Sequence, residues 1–134
     1  HIGPPPYVSG TVAGARQAVI DGKPAIALSH YIDSPRPIHW PTVERWTTAV
    51  VEKLLAQPLP KHHFWCVNFP HLEPDSSLPE VVFCKPSQET QPLEFVKTPA
   101  GYMAKSVYRD RPYEPGSDVD VCFGGKIAIT QLHI

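Results

Sequence analysis

Apolar and small residues recur at helical spacing from Thr11 to Asp21, where Val12, Ala15 and Val19 share a face with Ala18 and Ile20 beside them. Gly22 ends the pattern, so the spacing predicts a short helix. Pro24-Ala25-Ile26-Ala27-Leu28-Ser29 follows as a continuous apolar run. Without a polar face, it reads as a strand covered on both sides within a parallel sheet. A second helix is predicted from about Pro41 to Gln57, with Val43, Trp46, Val50 and Leu54 on one stripe and Glu44, Arg45, Glu52 and Lys53 elsewhere. Pro41 suits its first turn and Pro58 its exit. Phe64 to Phe69, stopped by Pro70, and Glu80 to Cys84 read as two more buried strands.

Beyond Cys84 the texture becomes more polar. Leu93 to Lys97 and Gly101 to Tyr108 flank the turn signal Thr98-Pro99-Ala100-Gly101 and predict a hairpin. Gly116-Ser117-Asp118 is placed to cap a short helical turn through Cys122, which Gly124-Gly125 would stop. Lys126 to Leu132 then reads as a final strand of alternating character. Helix alternating with buried strand is the signature of an α/β layered fold.

The length of 134 residues and 42% hydrophobic content suit one domain with its own core. A net charge of -1 without a Lys/Arg run excludes the electrostatic footprint of a nucleic-acid polymer binder, while a small anion remains a suitable ligand. Cys66, Cys84 and Cys122 are odd in number and far apart, which excludes a disulfide framework and a structural zinc site and fits a reducing, cytoplasmic compartment. No apolar run approaches the ~20 residues that cross a bilayer, so no membrane association is expected. The 17 prolines punctuate the chain instead of forming a low-complexity tract. Because the chain opens on His1 and its only methionine is Met103, a segment upstream is expected to be missing.

The chemistry with most content lies at Ser9-Gly10-Thr11. Backbone N–H groups in a helix's first turn have no intrahelical acceptor and carry partial positive charge, so this start can hold a phosphate. Gly10 would let an anion approach the main chain, and Ser9 and Thr11 add hydroxyl donors. A plain cap plus turn accounts for the same residues.

YVSGTVAGARQAVIDGKPAIALS resembles the segment of the survival protein SurE family in which a Tyr-Ser-Gly-Thr-Val element opens a helix rich in Ala and Gly, followed by a Gly-x-Pro-(Ala/Ser)-Ile-Ala-(Leu/Val)-Ser strand. Trp65 to Pro70 is similar to that family's Leu-Asn-Val-Asn-Val-Pro strand. Gly116-Ser117-Asp118 and Gly125 to Leu132 are similar to its Gly-Thr-Asp and its closing Gly-Tyr-Val-Ser-Val-Thr-Pro-Leu. The resemblance implies a Rossmann-like three-layer α/β fold with a protruding β-hairpin, residues 1–134 forming the C-terminal part of one phosphatase domain. It also implies a metal-dependent 5'-nucleotidase acting on nucleoside monophosphates, and dimers or tetramers formed through the 93–108 hairpin and the C-terminal segment. On this reading Ser9, Gly10 and Thr11 hold the phosphate and no catalytic residue lies in this chain. A divalent cation, Mg²⁺ or Mn²⁺, is held mostly by an N-terminal half carrying an Asp-Asp pair, and the fragment alone is inactive.

The family places a metal-binding Asn eight residues before the Ser of its Ser-Gly-Thr, and that position here is His1. An amide oxygen suits Mg²⁺, whereas imidazole suits Mn²⁺, Zn²⁺ or other transition metals. Tyr7 is also displaced by one position relative to the family's Tyr, beside Pro4-Pro5-Pro6. The alternative reading is therefore a noncatalytic nucleotide-binding or assembly module that has lost the metal site.

The remaining candidates have structural readings. His39, His62-His63 and His71 lie in or beside proline-rich loops without metal-ligand spacing, and are expected to be solvated or locally hydrogen-bonded. Asp118 and Asp120, at i and i+2, are expected to cap and be solvated. Trp46 and Trp65 belong to core stripes, which leaves Trp40 unassigned. Arg109 and Arg111 are expected in an exposed, partly self-paired charge cluster, the alternative being that they reach a substrate or a neighbouring subunit.

Overall fold

The first helix forms where the spacing places it. In the computed structural model, which describes residues 2–3, 9–105 and 107–134, α1 spans Gly10–Ile20 and buries Val12, Ala15 and Val19. Ser9 caps it, and Gly22, at φ 74, turns the chain out of it in the left-handed region that glycine tolerates. The chain then enters β1 (Ile26–His30). α2 (Trp40–Leu55) carries Pro41 in its first turn and buries Val43, Trp46, Val50 and Leu54. Next come β2 (His63–Phe69), β3 (Val81–Phe83), β4 (Glu94–Thr98) and β5 (Gly101–Lys105), then a 3-10 turn at Tyr108–Asp110, α3 (Asp118–Phe123) and β6 (Ile127–His133).

The main sheet has the order β1-β2-β6-β3. β1 runs parallel to β2, β6 antiparallel to β2, and β3 parallel to β6. Strand alternation divides the side chains between two faces. On one face Trp46, Val50 and Leu54 of α2 pack on Trp65, Val67, Phe69, Ile127 and Ile129. On the other, α1 packs its buried stripe on Ala27, Phe64 and Cys66, while Val119, Val121 and Cys122 of α3 pack on Ala128. The result is a three-layer α/β arrangement with one helix behind the sheet and two in front.

Two strands depart from the pattern read in the sequence. β1 was expected to be covered on both sides, yet only Ala27 of its five residues is buried. Its single strand neighbour among the described residues is β2, so it is an edge strand here. β6 was expected to alternate, but its first four residues are all buried because helices cover both faces at that point.

β4 and β5 pair only with each other, from Glu94 opposite Lys105 to Thr98 opposite Gly101. All five residues of β5 are exposed, as is Phe95 on β4. The predicted hairpin is thus present as a separate two-stranded ribbon.

Candidate functional site

The geometry of the Ser9-Gly10-Thr11 turn follows from its connection to β1. α1 returns through a short turn into a strand it packs against, so the two run in opposite directions. Eleven residues of helix at ~1.5 Å each and five of strand at ~3.3 Å each are both about 16 Å long. The start of α1 therefore stands level with the C-terminal end of β1, the edge at which open α/β sheets bind ligands.

At that start, Ser9 is buried and its Oγ accepts the Val12 N–H at 3.2 Å, while its carbonyl accepts the Ala13 N–H at 2.8 Å. Those bonds satisfy part of the first turn. The helix supplies no acceptor for the N–H groups of Gly10 and Thr11, and both residues are exposed. A Cβ added to Gly10 would meet nothing within 4 Å, so open space lies over the main chain there. The Ser9 hydroxyl hydrogen remains able to donate, because its cap bond uses only the oxygen's lone pair.

A crevice of about 340 Å³ opens at the same sheet edge, lined by Ile2, Ser29, His30, Tyr31, Ile32, Asn68, Tyr108 and Cys122. Ser29 and Asn68 face each other across paired β1 and β2, and Ser29 Oγ donates to Asn68 Oδ1. His30 Nδ1 bonds its neighbour's carbonyl at Tyr31, and its ring meets that of His71 edge-on with centroids 5.4 Å apart. Burial lowers the His30 pKa below the usual histidine value; the Tyr31 carbonyl opposes this and nearby His71 adds to it. Burial also pushes the Cys122 thiol up to about 12, so at neutral pH it is no nucleophile.

Aromatic rings form one wall. Tyr31 and Tyr108 lie at 22° to each other with centroids 6.1 Å apart, and Phe123 meets Tyr31 at 5.0 Å and Tyr108 at 6.2 Å. Arg111 supports this wall, with its Cζ 5.3 Å from the Tyr108 ring centroid and Nη1 donating to the Ile2 carbonyl at 3.1 Å. Its Nε and Nη2 have no hydrogen-bond partner among the described residues. Nη2 would come within 2.2 Å of a Cβ on Gly3, whose φ is 74, so only glycine fits beneath the guanidinium.

Asp118 fastens the same segment from the other side. Its carboxylate is 1% exposed and accepts the Gly3 N–H at 2.9 Å and the Ser87 N–H at 2.8 Å. Burial raises its pKa, with those N–H groups pulling the other way.

The structure corrects two expectations. Arg111 belongs to no exposed cluster; at 2% exposure it is a buried prop, because the chain after the 3-10 turn folds inward over residues 2–3. Arg109 does stay at the surface, 3.6 Å from the Asp33 carboxylate. Asp118 is likewise a buried latch and not a solvated cap, while Asp120 accepts the Gly116 N–H and Ser117 caps α3 through the Asp120 N–H.

A third expectation fails at His71, which is buried instead of solvated and bonds distant residues instead of local ones: it accepts from the Asp33 N–H through Nδ1 and donates through Nε2 to the Pro37 carbonyl, which requires the Nε2-protonated tautomer. Other assignments hold. His39 and His63 bond locally to Thr42 and the Lys61 carbonyl. Trp46 and Trp65 are core, and Trp40 is exposed at the start of α2. His1 lies outside the described residues, and among those residues no group of three or more His, Cys, Asp or Glu can hold a metal ion. No described helix is long and apolar enough to cross a membrane. Sequence reasoning missed the wall formed by His30, Tyr31 and Tyr108; their shared location depends on a contact between segments over 70 positions apart, which no local pattern announces.

Comparison with known proteins bears on this arrangement. The family model described as Survival protein SurE matches residues 2–92. The chain is 48% identical, over 96% of its length, to the Synechocystis protein named "Putative 5'-nucleotidase alr3139", of which it covers 57%. It is 33% identical, over 92% of its length, to "5'-nucleotidase SurE" of Paramagnetospirillum magneticum, of which it covers 49%. It thus spans about half the length of the curated relatives it matches. The crystal structure of the Sure protein from Aquifex aeolicus superposes with a TM-score of 0.77 over 98% of this chain and 54% of that one, at 23% identity, which shows a shared fold. With the family match over most of the chain and the close relatives agreeing, this chain belongs to the SurE survival-protein family.

Proposed function

We propose that the protein of which this chain forms the C-terminal part is a phosphomonoesterase acting on nucleoside monophosphates. The observation that carries this reading is the placement of the α1 start, with exposed Gly10 and Thr11 and open space over Gly10, level with the C-terminal end of β1 beside a crevice. The names of relatives, which include 5'-nucleotidase, support it.

In this reading the Gly10 and Thr11 N–H groups and the Ser9 and Thr11 hydroxyls hold nonbridging phosphate oxygens. Fixed donors of this kind stabilise charge as it shifts toward the transition state, without needing to reorganise. A divalent cation, Mg²⁺ or Mn²⁺, belongs to the reading and when bound would supply positive charge and an activated water. The described residues offer no ligand set for it, so its ligands are assigned to the part of the relatives that this chain does not span, with His1 at the edge of the site. Residues 1–134 alone are accordingly inactive. The 93–108 hairpin, whose β5 residues are all exposed, and the C-terminal segment join copies into a dimer or tetramer, and the compartment is the cytoplasm.

The test is phosphate release by the full-length protein from a panel of nucleoside monophosphates with Mg²⁺, Mn²⁺ or chelator. The expected result is metal-dependent release that chelator abolishes. Nucleotide binding without release under any cation would replace this reading with the noncatalytic binding module.

A further inference from the structure

The other end of the sheet carries a pair of side chains that the phosphate turn does not use. His63 opens β2 and His133 closes β6, and the antiparallel register sets them directly opposite each other. Residues opposite in register share a face, so the pair continues the row of Trp65, Val67 and Ile129 that packs under α2. At the histidines the cover ends. His133 is exposed and His63 half-buried, so the two rings stand side by side at the rim of the sheet.

Their geometry suits two ligands on one ion. The ring centroids lie 4.7 Å apart and the ring planes cross at 59°. Two imidazoles bonded to one metal through nitrogen at about 2.0–2.1 Å, with ordinary angles at the metal, place their ring centres roughly 4.5–5.2 Å apart. His63 Nδ1 lies 2.8 Å from the Lys61 carbonyl, which can only accept, so Nδ1 carries the proton and Nε2 keeps a lone pair. A ring N–H fixed on a backbone carbonyl is the outer support that metal-binding histidines use. The His62 carbonyl accepts the Ile134 N–H at 3.0 Å, which holds the end of β6 beside the start of β2. The pair is thus set in place by backbone contacts alone.

The surroundings select the ion. Lys23 and Lys61 line the pocket that includes His63, and their charge opposes a cation held by electrostatics alone. Binding has to come from nitrogen lone pairs, which suit Zn²⁺, Cu²⁺ or Ni²⁺ and not Mg²⁺. We propose that His63 and His133 form a transition-metal site that clamps the end of β6 to the start of β2. No third His, Cys, Asp or Glu joins them among the described residues, so water completes the coordination. Asn68, which lines the crevice at the opposite edge, stands five residues along β2 from His63, or about 16–17 Å. The site is therefore separate from the cation of the proposed hydrolysis, and it does not rest on that reading.

The experiment uses the full-length protein, with Zn²⁺ and Cu²⁺ as the probes and His133→Gln, His63→Ala and the neighbouring His62→Ala as variants. Because His133 is exposed, His133→Gln keeps the fold. Zn²⁺ titration calorimetry in excess Mg²⁺ is expected to find a site whose affinity falls by about tenfold or more in His133→Gln and in His63→Ala, since a lost ligand weakens binding at least as much as a lost outer support. His62→Ala should leave that affinity unchanged. Zn²⁺ should also raise the melting temperature of the unsubstituted protein more than that of His133→Gln. Electron paramagnetic resonance of bound Cu²⁺ should show coupling to two imidazole nitrogens, one of which disappears in His133→Gln. Unchanged Zn²⁺ affinity in His133→Gln overturns the proposal, as does a copper signal that this variant leaves as it was, and both results leave the phosphomonoesterase reading standing.

Discussion

Replacing Asp118 tests how residues 2–3 are held against the loop at Ser87. Its buried carboxylate accepts two backbone N–H groups, from Gly3 and Ser87, that lie 84 positions apart in the chain. Asp118→Ala leaves both donors without that acceptor, at about 1–3 kcal/mol each, or about 2–6 kcal/mol together. A partial offset follows from the raised pKa of Asp118. Burial outweighs the stabilising N–H groups, so removing the charge recovers some desolvation cost and places the expected loss in the lower half of that range, about 2–4 kcal/mol. Against a total stability of about 5–15 kcal/mol, this is a large loss. Asp118→Asn should lose less, since its amide oxygen still accepts one N–H while its NH₂ opposes the other. The sign of the pH effect is also fixed. With the folded pKa raised, the protonation-linked part of this group's contribution is fully present below about 4 and is lost as pH rises through the higher folded value, which leaves the two hydrogen bonds of the ionised carboxylate at neutral pH. Urea unfolding of the full-length protein at several pH values measures both quantities. A loss below about 0.5 kcal/mol for Asp118→Ala at neutral pH would refute the latch.

Gly10→Val should reduce phosphate affinity, read by titration calorimetry on the full-length protein, and shift the melting temperature by only a few degrees, because its Cβ enters open space. Gly3→Ala should lower stability by more than 1 kcal/mol and disturb Tyr108 fluorescence, since its Cβ meets the Arg111 guanidinium at a left-handed φ. Burial holds the Cys84 thiol at about 11 and Cys122 at about 12, so alkylation by iodoacetamide at pH 8 should be far slower in native than in urea-unfolded protein; the stability linked to these thiols is present below pH 9 and lost as pH rises beyond it. Phe95→Glu combined with Tyr102→Lys should lower the mass found by light scattering if the hairpin joins copies, and an unchanged mass would remove it from the interface.

The sequence by itself determined the local elements and the family. Val12, Ala15 and Val19, and then Val43, Trp46, Val50 and Leu54, state their helices because burial on one face requires a 3.6-residue period, and the run ending at Phe69 states its strand by being almost continuously apolar, since both faces of it are covered. Ser9 was legible as a cap and Gly10 as an open position because both depend on neighbours within a single turn. Tertiary structure alone decided what depends on distant segments. β1 is an edge strand because no second neighbour pairs with it among the described residues, and β6 is buried on both faces because α2 and α3 cover it from opposite sides. Arg111 reads as a surface charge in YRDRPY, yet the chain carries it inward beneath Tyr108, where residues 2–3 meet it from more than a hundred positions away. Asp118 changes from cap to latch by the same cause. Charge and polarity alone did not reveal that these two side chains are buried, because a residue's burial is set by what packs over it, and that information lies elsewhere in the chain.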